Sequence, residues 1–137
     1  MSAVLKPDAA AADLQAMAAA GLRAFARIAL DWGLSVDEQL CLLGQPPRST
    51  FFAWRKQPDK AHLPRDTLER LSCLLGIYKA LQILLPDAPA ADAWVRKPNS
   101  APTFGGRSAL DRMLAGNVGD LLAVRRHLDG ARGGGWS

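Results

Sequence analysis

Cysteine is scarce in this chain of 137 residues, which carries only Cys41 and Cys73. The two lie far apart, each beside leucine and without CxxC spacing, so they read as reduced core thiols rather than a disulfide or a metal pair. Histidine is equally rare, with His62 in a loop segment near Lys60 and His127 in Arg125-Arg126-His127. Neither stands at a known spacing from an acid or a nucleophile, so both read as surface histidines and no catalytic constellation is assembled. Metal-ligand spacings and cofactor motifs are missing as well. Gly105-Gly106 lacks the Lys-Ser/Thr of a phosphate loop and follows no strand, which leaves a tight turn as its reading. The apolar-looking stretch from Ala9 to Ala20 is broken by Asp13 and Gln15 and has no basic flank. It is therefore neither a secretion signal nor a membrane span, and a soluble, cytoplasmic protein is expected. Period-two alternation of useful length and internal repeats are also missing, so the expected fold class is all-α.

What is present is a globular composition, 49% apolar and 22% charged, enough for one compact domain or two small ones. The formal charge is +4, and its placement matters more than its size. From Arg48 to Arg65 stand Arg48, Arg55, Lys56, Lys60 and Arg65 against the single acid Asp59, which points to an anionic partner.

Helix signals follow one another along the chain. Asp8 opens an alanine-rich amphipathic segment whose apolar set, Met17, Leu22, Phe25, Ile28, Ala29 and Trp32, runs to about Asp31, weakened at Gly21 and ended by Gly33. Ser35-Val36-Asp37-Glu38 has the form of a capping box and predicts a helix from Val36 to about Leu43, stopped by Gly44. After Gln45-Pro46-Pro47 a short helix is expected from Thr50 to Lys56, with Phe51 and Trp54 on one face and Pro58 closing it. Pro64 at a first helical position precedes the longest helix, Arg65 to Leu85, whose apolar surface exceeds one stripe and implies burial on more than one side. Shorter helices are expected from Ala90 to Val95, from Ala109 to Leu114 behind a Ser108 cap, and from Val118 to about Leu128.

The constellation with most content is the pair Val36–Leu43 and Arg48–Lys56 about a proline turn. A helix that enters a major groove needs small polar and basic residues near its start and apolar residues behind to seat it. Arg48, Ser49 and Thr50 supply the first set, Phe51 and Trp54 the second, and Arg55 and Lys56 reach toward backbone phosphate. A basic, solvated helix in a bundle would show the same pattern, so both readings stand on these residues.

Ala131-Arg132-Gly133-Gly134-Gly135-Trp136-Ser137 poses a second choice, between a frayed terminus and a flexible probe tipped with Arg132 and Trp136. Ordering Gly133, Gly134 and Gly135 costs roughly 1–2 kcal/mol per residue. Burying one Trp returns roughly 4–6 kcal/mol, so the tail alone nearly breaks even and needs a folded anchor.

In the C-terminal third, Trp94-Val95-Arg96-Lys97-Pro98-Asn99 is followed by Phe104-Gly105-Gly106-Arg107-Ser108-Ala109-Leu110-Asp111 and then by Val124-Arg125-Arg126-His127-Leu128-Asp129. This order resembles the toxin-binding domain of the MbcA/ParS/Xre antitoxin family over about Leu63 to Ser137, and the helix-turn-helix lies where Xre-type members carry theirs. One departure is Ser108-Ala109-Leu110 where the family commonly has Ser-Pro-Leu; alanine supports a helix start there too. The resemblance implies an N-terminal helix-turn-helix domain over residues 1–62 and a small helical toxin-binding domain over residues 63–137. It further implies an antitoxin that neutralises a RES-domain toxin acting on NAD, forms a homodimer, and binds operator DNA, the NAD chemistry belonging to the partner. Phe104, Gly105, Arg107, Arg125, Arg126, Arg132, Gly133, Gly134, Gly135 and Trp136 are the expected toxin-binding residues. Arg48, Ser49, Thr50, Arg55 and Lys56 are those expected at DNA. A helix-turn-helix regulator without a toxin partner is the alternative.

Overall fold

The structure, a computed structural model, describes residues 2–135, with side chains over residues 10–133. Among these residues seven α-helices form and no sheet; Pro98 and Ser108 make an isolated antiparallel bridge. In order they are α1 (Ser2–Asp31), α2 (Val36–Leu42), α3 (Arg48–Lys56), α4 (Arg65–Leu84), α5 (Ala88–Trp94), α6 (Ala109–Met113) and α7 (Val118–Gly130). A 3-10 turn (Pro58–Lys60) joins α3 to α4, and a π-helical turn (Ala131–Gly135) follows α7.

Local signals set most boundaries. The Ser35 hydroxyl accepts from the Glu38 amide while the Glu38 carboxylate accepts from the Ser35 amide, so the capping box starts α2 as its sequence predicts. Ser108 with Asp111 does the same for α6. Asn117 with Asp120 does so for α7. The N-terminal helix starts at Ser2, ahead of the expected Asp8, because an acid favours a helix start without requiring one. Pro64 stands at the N-cap of α4, one residue ahead of the first helical position expected for it, and makes no side-chain capping bond.

The central helix is α4. Leu71, Leu74, Ile77, Ala80 and Leu81 are buried on it, and it packs against α1, α5 and α7. The surplus apolar surface is thus covered largely by the chain itself. Gly21 lies where α1 and α4 touch, with Leu71 Cδ1 3.7 Å from the place a Cβ would occupy. The guanidinium of Arg125 on α7 lies over Gly76, where a Cβ would stand 2.7 Å from its central carbon. Met17 departs from the expected core set. It is 69% exposed at the edge of the buried stripe, beside Leu14 at 57%, over an apolar cleft between α1 and α4.

Two contacts fix the turn between α2 and α3 to α4. Thr67 donates to the Leu43 carbonyl at 3.3 Å. Arg70, almost fully buried, holds Asp66 at 2.8 Å, directly beneath Gly44. A Cβ on Gly44 would meet the Asp66 carboxylate at 2.6 Å, and its φ of +93° is one that favours glycine.

Further bonds join the front of the molecule to its back. Tyr78 on α4 donates to Asp31 at 2.6 Å, and this bond, with burial behind it, pushes the phenol up to about 12. The Cys41 thiol donates to the Leu114 carbonyl at 3.3 Å. Arg96, just past α5, donates to the Trp32 carbonyl at 3.1 Å and the Gly33 carbonyl at 2.9 Å, both at the end of α1. It also reaches Glu38 of the α2 capping box at 3.2 Å. Because the carbonyls at a helix end otherwise lack partners, most of the value of Arg96 lies in those two bonds and little in the solvated ion pair. Arg96→Ala is expected to lower unfolding stability by about 1–2 kcal/mol, read as a reduced urea midpoint at unchanged slope. Arg96→Lys recovers less than half, since a single ammonium cannot span three acceptors in that geometry.

Candidate functional site

Two surfaces gather the residues expected to act. The first is α3. Phe51 and Trp54 are buried and seat the helix, as their spacing predicts. Arg48, Ser49, Arg55 and Lys56 are exposed, whereas Thr50 is half-buried and lines a cleft with Pro46, Pro47, Trp54 and Thr67. The two arginines are held from within the chain. Arg48 pairs with Asp37 of α2, and Arg55 donates to Gln39 of α2 while its guanidinium lies 5.1 Å from the centre of the Phe51 ring. Phe52 and Ala53, which the pattern reading passed over, are also exposed. The signal for them was available in the spacing: Ser49, Phe52, Ala53 and Lys56 stand at i, i+3, i+4 and i+7, opposite Phe51 and Trp54.

The second surface is the C-terminal end. Here the chain leaves α5 and folds back through a loop pinned by backbone bonds. Asn99 donates to the Arg107 carbonyl at 3.0 Å, Gly106 to the Asn99 carbonyl at 2.8 Å, and Gly105 to the Ala101 carbonyl at 3.0 Å. Gly105 and Gly106 have φ of +58° and +87° with nothing near their missing Cβ atoms, so backbone conformation alone calls for glycine. Their amides are used inside the loop, which confirms the tight turn. Arg112 on α6 closes the arrangement by donating to the Thr103 carbonyl and to Asp120 of α7, each at 2.8 Å. Burial pushes the Asp120 carboxyl up, but the bond from Arg112 and those from the Asn117 backbone and side chain together hold it below its ordinary range.

Three rings knit this loop to the helices. Phe104 is only 5% exposed and meets the His127 ring edge-on at 4.9 Å. Trp94 of α5 stacks on the same imidazole at 6.4 Å and meets Phe104 edge-on at 5.7 Å. His127 therefore departs from the expected surface histidine: it is half-buried between two aromatic side chains, and burial lowers its pKa from the ordinary 6.5. Sequence spacing could not have shown this, since the three rings come from separate elements.

The remaining expected residues divide by exposure. Arg107, Arg126 and Arg132 stand exposed, as do Gly105 and Gly133. Arg125 is half-buried over Gly76, donating to the Ser72 carbonyl at 3.3 Å and pairing with Asp129 at 3.7 Å. Gly133, Gly134 and Gly135 continue the helical path as the end of the π-helical turn, which is anchored by the buried Ala131. Trp136 lies outside the described residues. Among the described residues no cluster of metal-ligating side chains occurs, and no helix is long and apolar enough to cross a membrane.

Two family profiles match the chain one after the other. A family profile described as the antitoxin Xre-like helix-turn-helix domain matches residues 11–76. A second, described as the antitoxin Xre/MbcA/ParS C-terminal toxin-binding domain, matches residues 80–134. Over 115 residues, 84% of this chain and 86% of the relative, the sequence is 54% identical to an uncharacterized protein, y4oB, of Sinorhizobium fredii.

The packing of His127 has a consequence for stability. Its neutral form is favoured in the folded chain, so the unfolded chain binds the proton first as pH falls, and folding loses free energy through the ordinary imidazole value and levels off below the folded one. Urea midpoints should fall as pH is lowered through the ordinary imidazole value of 6.5, and His127→Phe, which keeps a ring in the cluster, should flatten that slope.

Proposed function

Because the chain belongs to the Xre/MbcA/ParS antitoxin family, with an Xre-like helix-turn-helix domain ahead of the toxin-binding domain, we propose that it neutralises a RES-domain toxin acting on NAD in the cytoplasm and represses its own operon. The observation that carries the first part is the division of the C-terminal surface. Phe104 and Arg125 are turned inward and build the platform, while Arg107, Arg126 and Arg132 are presented outward on it. Three exposed guanidinium groups at this end suit a partner whose surface is acidic, and the charge contacts supply orientation and encounter rate. The chain contributes no reacting group in this reading; it blocks the toxin's NAD cleft.

Trp136 follows the π-helical turn by a single residue after Gly135. Inhibition then combines the platform as anchor with the Trp136 ring as a plug. Co-expression with a neighbouring RES reading frame should give a stable complex that consumes no NAD. Shortening the chain to end at Gly135 is expected to leave copurification intact and to weaken inhibition of NAD consumption at least about tenfold, the scale of an aromatic hot spot. Equal inhibition by the shortened chain would assign the block to the platform alone.

The second part rests on α3. Its basic residues face outward, and Arg48 and Arg55 are braced on α2, an arrangement suited to phosphates on either side of a groove. A homodimer would place two such helices on successive major-groove faces. Leu14 and Met17, exposed over the cleft lined by Leu68, Leu71 and Leu75, are its contact surface in this reading. Arg48→Ala and Arg55→Ala should each weaken binding to the upstream DNA and reduce the slope of log affinity against log salt by about one. Titrations by fluorescence anisotropy at several salt concentrations check this; slopes equal to the parent's would remove both residues from the phosphate contacts.

A further inference from the structure

The recognition helix carries an apolar centre that nothing in the described structure covers. Phe52 is 47% exposed, and the neighbouring Ala53 is exposed with it, on the face of α3 that points away from the core. This face consists of Ser49, Phe52, Ala53 and Lys56. The Phe52 ring leans edge-on against the buried Phe51, with centroids 5.3 Å apart, so it is braced in place. Arg48 is drawn to one side by Asp37 and Arg55 by Gln39, which leaves the middle of the face to the phenyl ring and the methyl group.

That composition limits what the helix can read. Bidentate recognition of adenine needs Asn or Gln, and this face has neither. Guanine is read by Arg or Lys; both arginines of the helix are tethered at the flanks, and Lys56 stands at the last position of the helix, beyond the phenyl ring and the methyl group. The base-edge feature that an apolar pair can address is a C5-methyl group in the major groove, which phenylalanine and alanine contact directly. We propose that Phe52 and Ala53 form an apolar pocket for a thymine methyl group and so determine one thymine position in each operator half-site. The flanking cations make the choice of a nucleic acid over an apolar protein partner: Arg48, Arg55 and Lys56 surround the pair with positive charge. A 5-methylcytosine presents the same group, but duplexes amplified in vitro contain none, so a methyl selected there belongs to thymine.

The proposal rests on the reading of α3 as a DNA-binding helix, and the experiment separates the two. The full chain is used to select sites from a random duplex pool, and each thymine of the selected half-site is then replaced singly by deoxyuridine, which removes only the methyl group. The expected result is one position per half-site at which the replacement weakens binding about three- to tenfold, the scale of a buried methyl counted once or twice in a dimer. In Phe52→Ser/Ala53→Ser that loss should shrink below about twofold while the salt slope stays at the parent's value, because no phosphate contact has been removed. Selected sites that bind tightly but tolerate deoxyuridine everywhere overturn the methyl pocket and leave the DNA-binding helix in place. Persistence of the same methyl preference in the double variant also overturns it. Failure to select any site overturns both readings. The deoxyuridine series on the parent chain decides the matter even if the double variant does not fold.

Discussion

The structure depends on the burial of α4. Its twenty residues place Leu71, Leu74, Ile77 and Leu81 toward neighbours on more than one side, with α1 covering one flank and α5 and α7 the others. A helix with that distribution of apolar residues cannot be stable in isolation, because a single partner would leave part of it in water. The helix-turn-helix and the C-terminal loop therefore share one core. The two family profiles meet within this same helix, one ending at residue 76 and the other beginning at residue 80. Gly76 lies at that junction, and its missing side chain is what lets Arg125 of α7 lie flat against α4.

Shared burial is reinforced by bonds that end on the elements with functional roles. Arg70 and Thr67 of α4 hold the turn that aims α3. Arg96 reaches from the base of the C-terminal loop to the carbonyls of α1 and to the capping box of α2. On the other side, Trp94, Phe104 and His127 tie α5, the loop and α7 into one unit. Each surface is thus backed by packed side chains, which reduces the ordering cost of any contact made there.

Much of this was legible along the chain because it depends on neighbours in sequence. Ser35 with Glu38 announced α2, Ser108 announced α6, and the spacing of Phe51 and Trp54 assigned the seated face of α3. The all-α class followed from the same periodicities. What escaped was what depends on distant residues. His127 looked like a solvated member of a basic triplet and is half-buried because Trp94 and Phe104 arrive from other elements. Arg125 looked equivalent to Arg126, yet Gly76 on α4 gives it a bed that Arg126 lacks. Met17 fitted the amphipathic stripe of α1 but falls at its edge, over the cleft.

The contrast between Phe104 and Phe52 shows how exposure turns composition into function. Both are phenylalanines within segments that carry basic residues, and by sequence Phe104 was the better candidate for a partner contact. Its ring is 5% exposed and serves to hold the loop, which leaves Arg107 as the exposed charged side chain of the segment. Phe52, in the middle of α3, is 47% exposed and braced from below. Keeping a large ring in water on a short helix forgoes the burial free energy that Phe51 gains one residue earlier. Serine or lysine would be the lower-cost choice for solubility alone; under the DNA-binding reading proposed above, Phe52 at the centre of a cationic face becomes dry when the partner covers it.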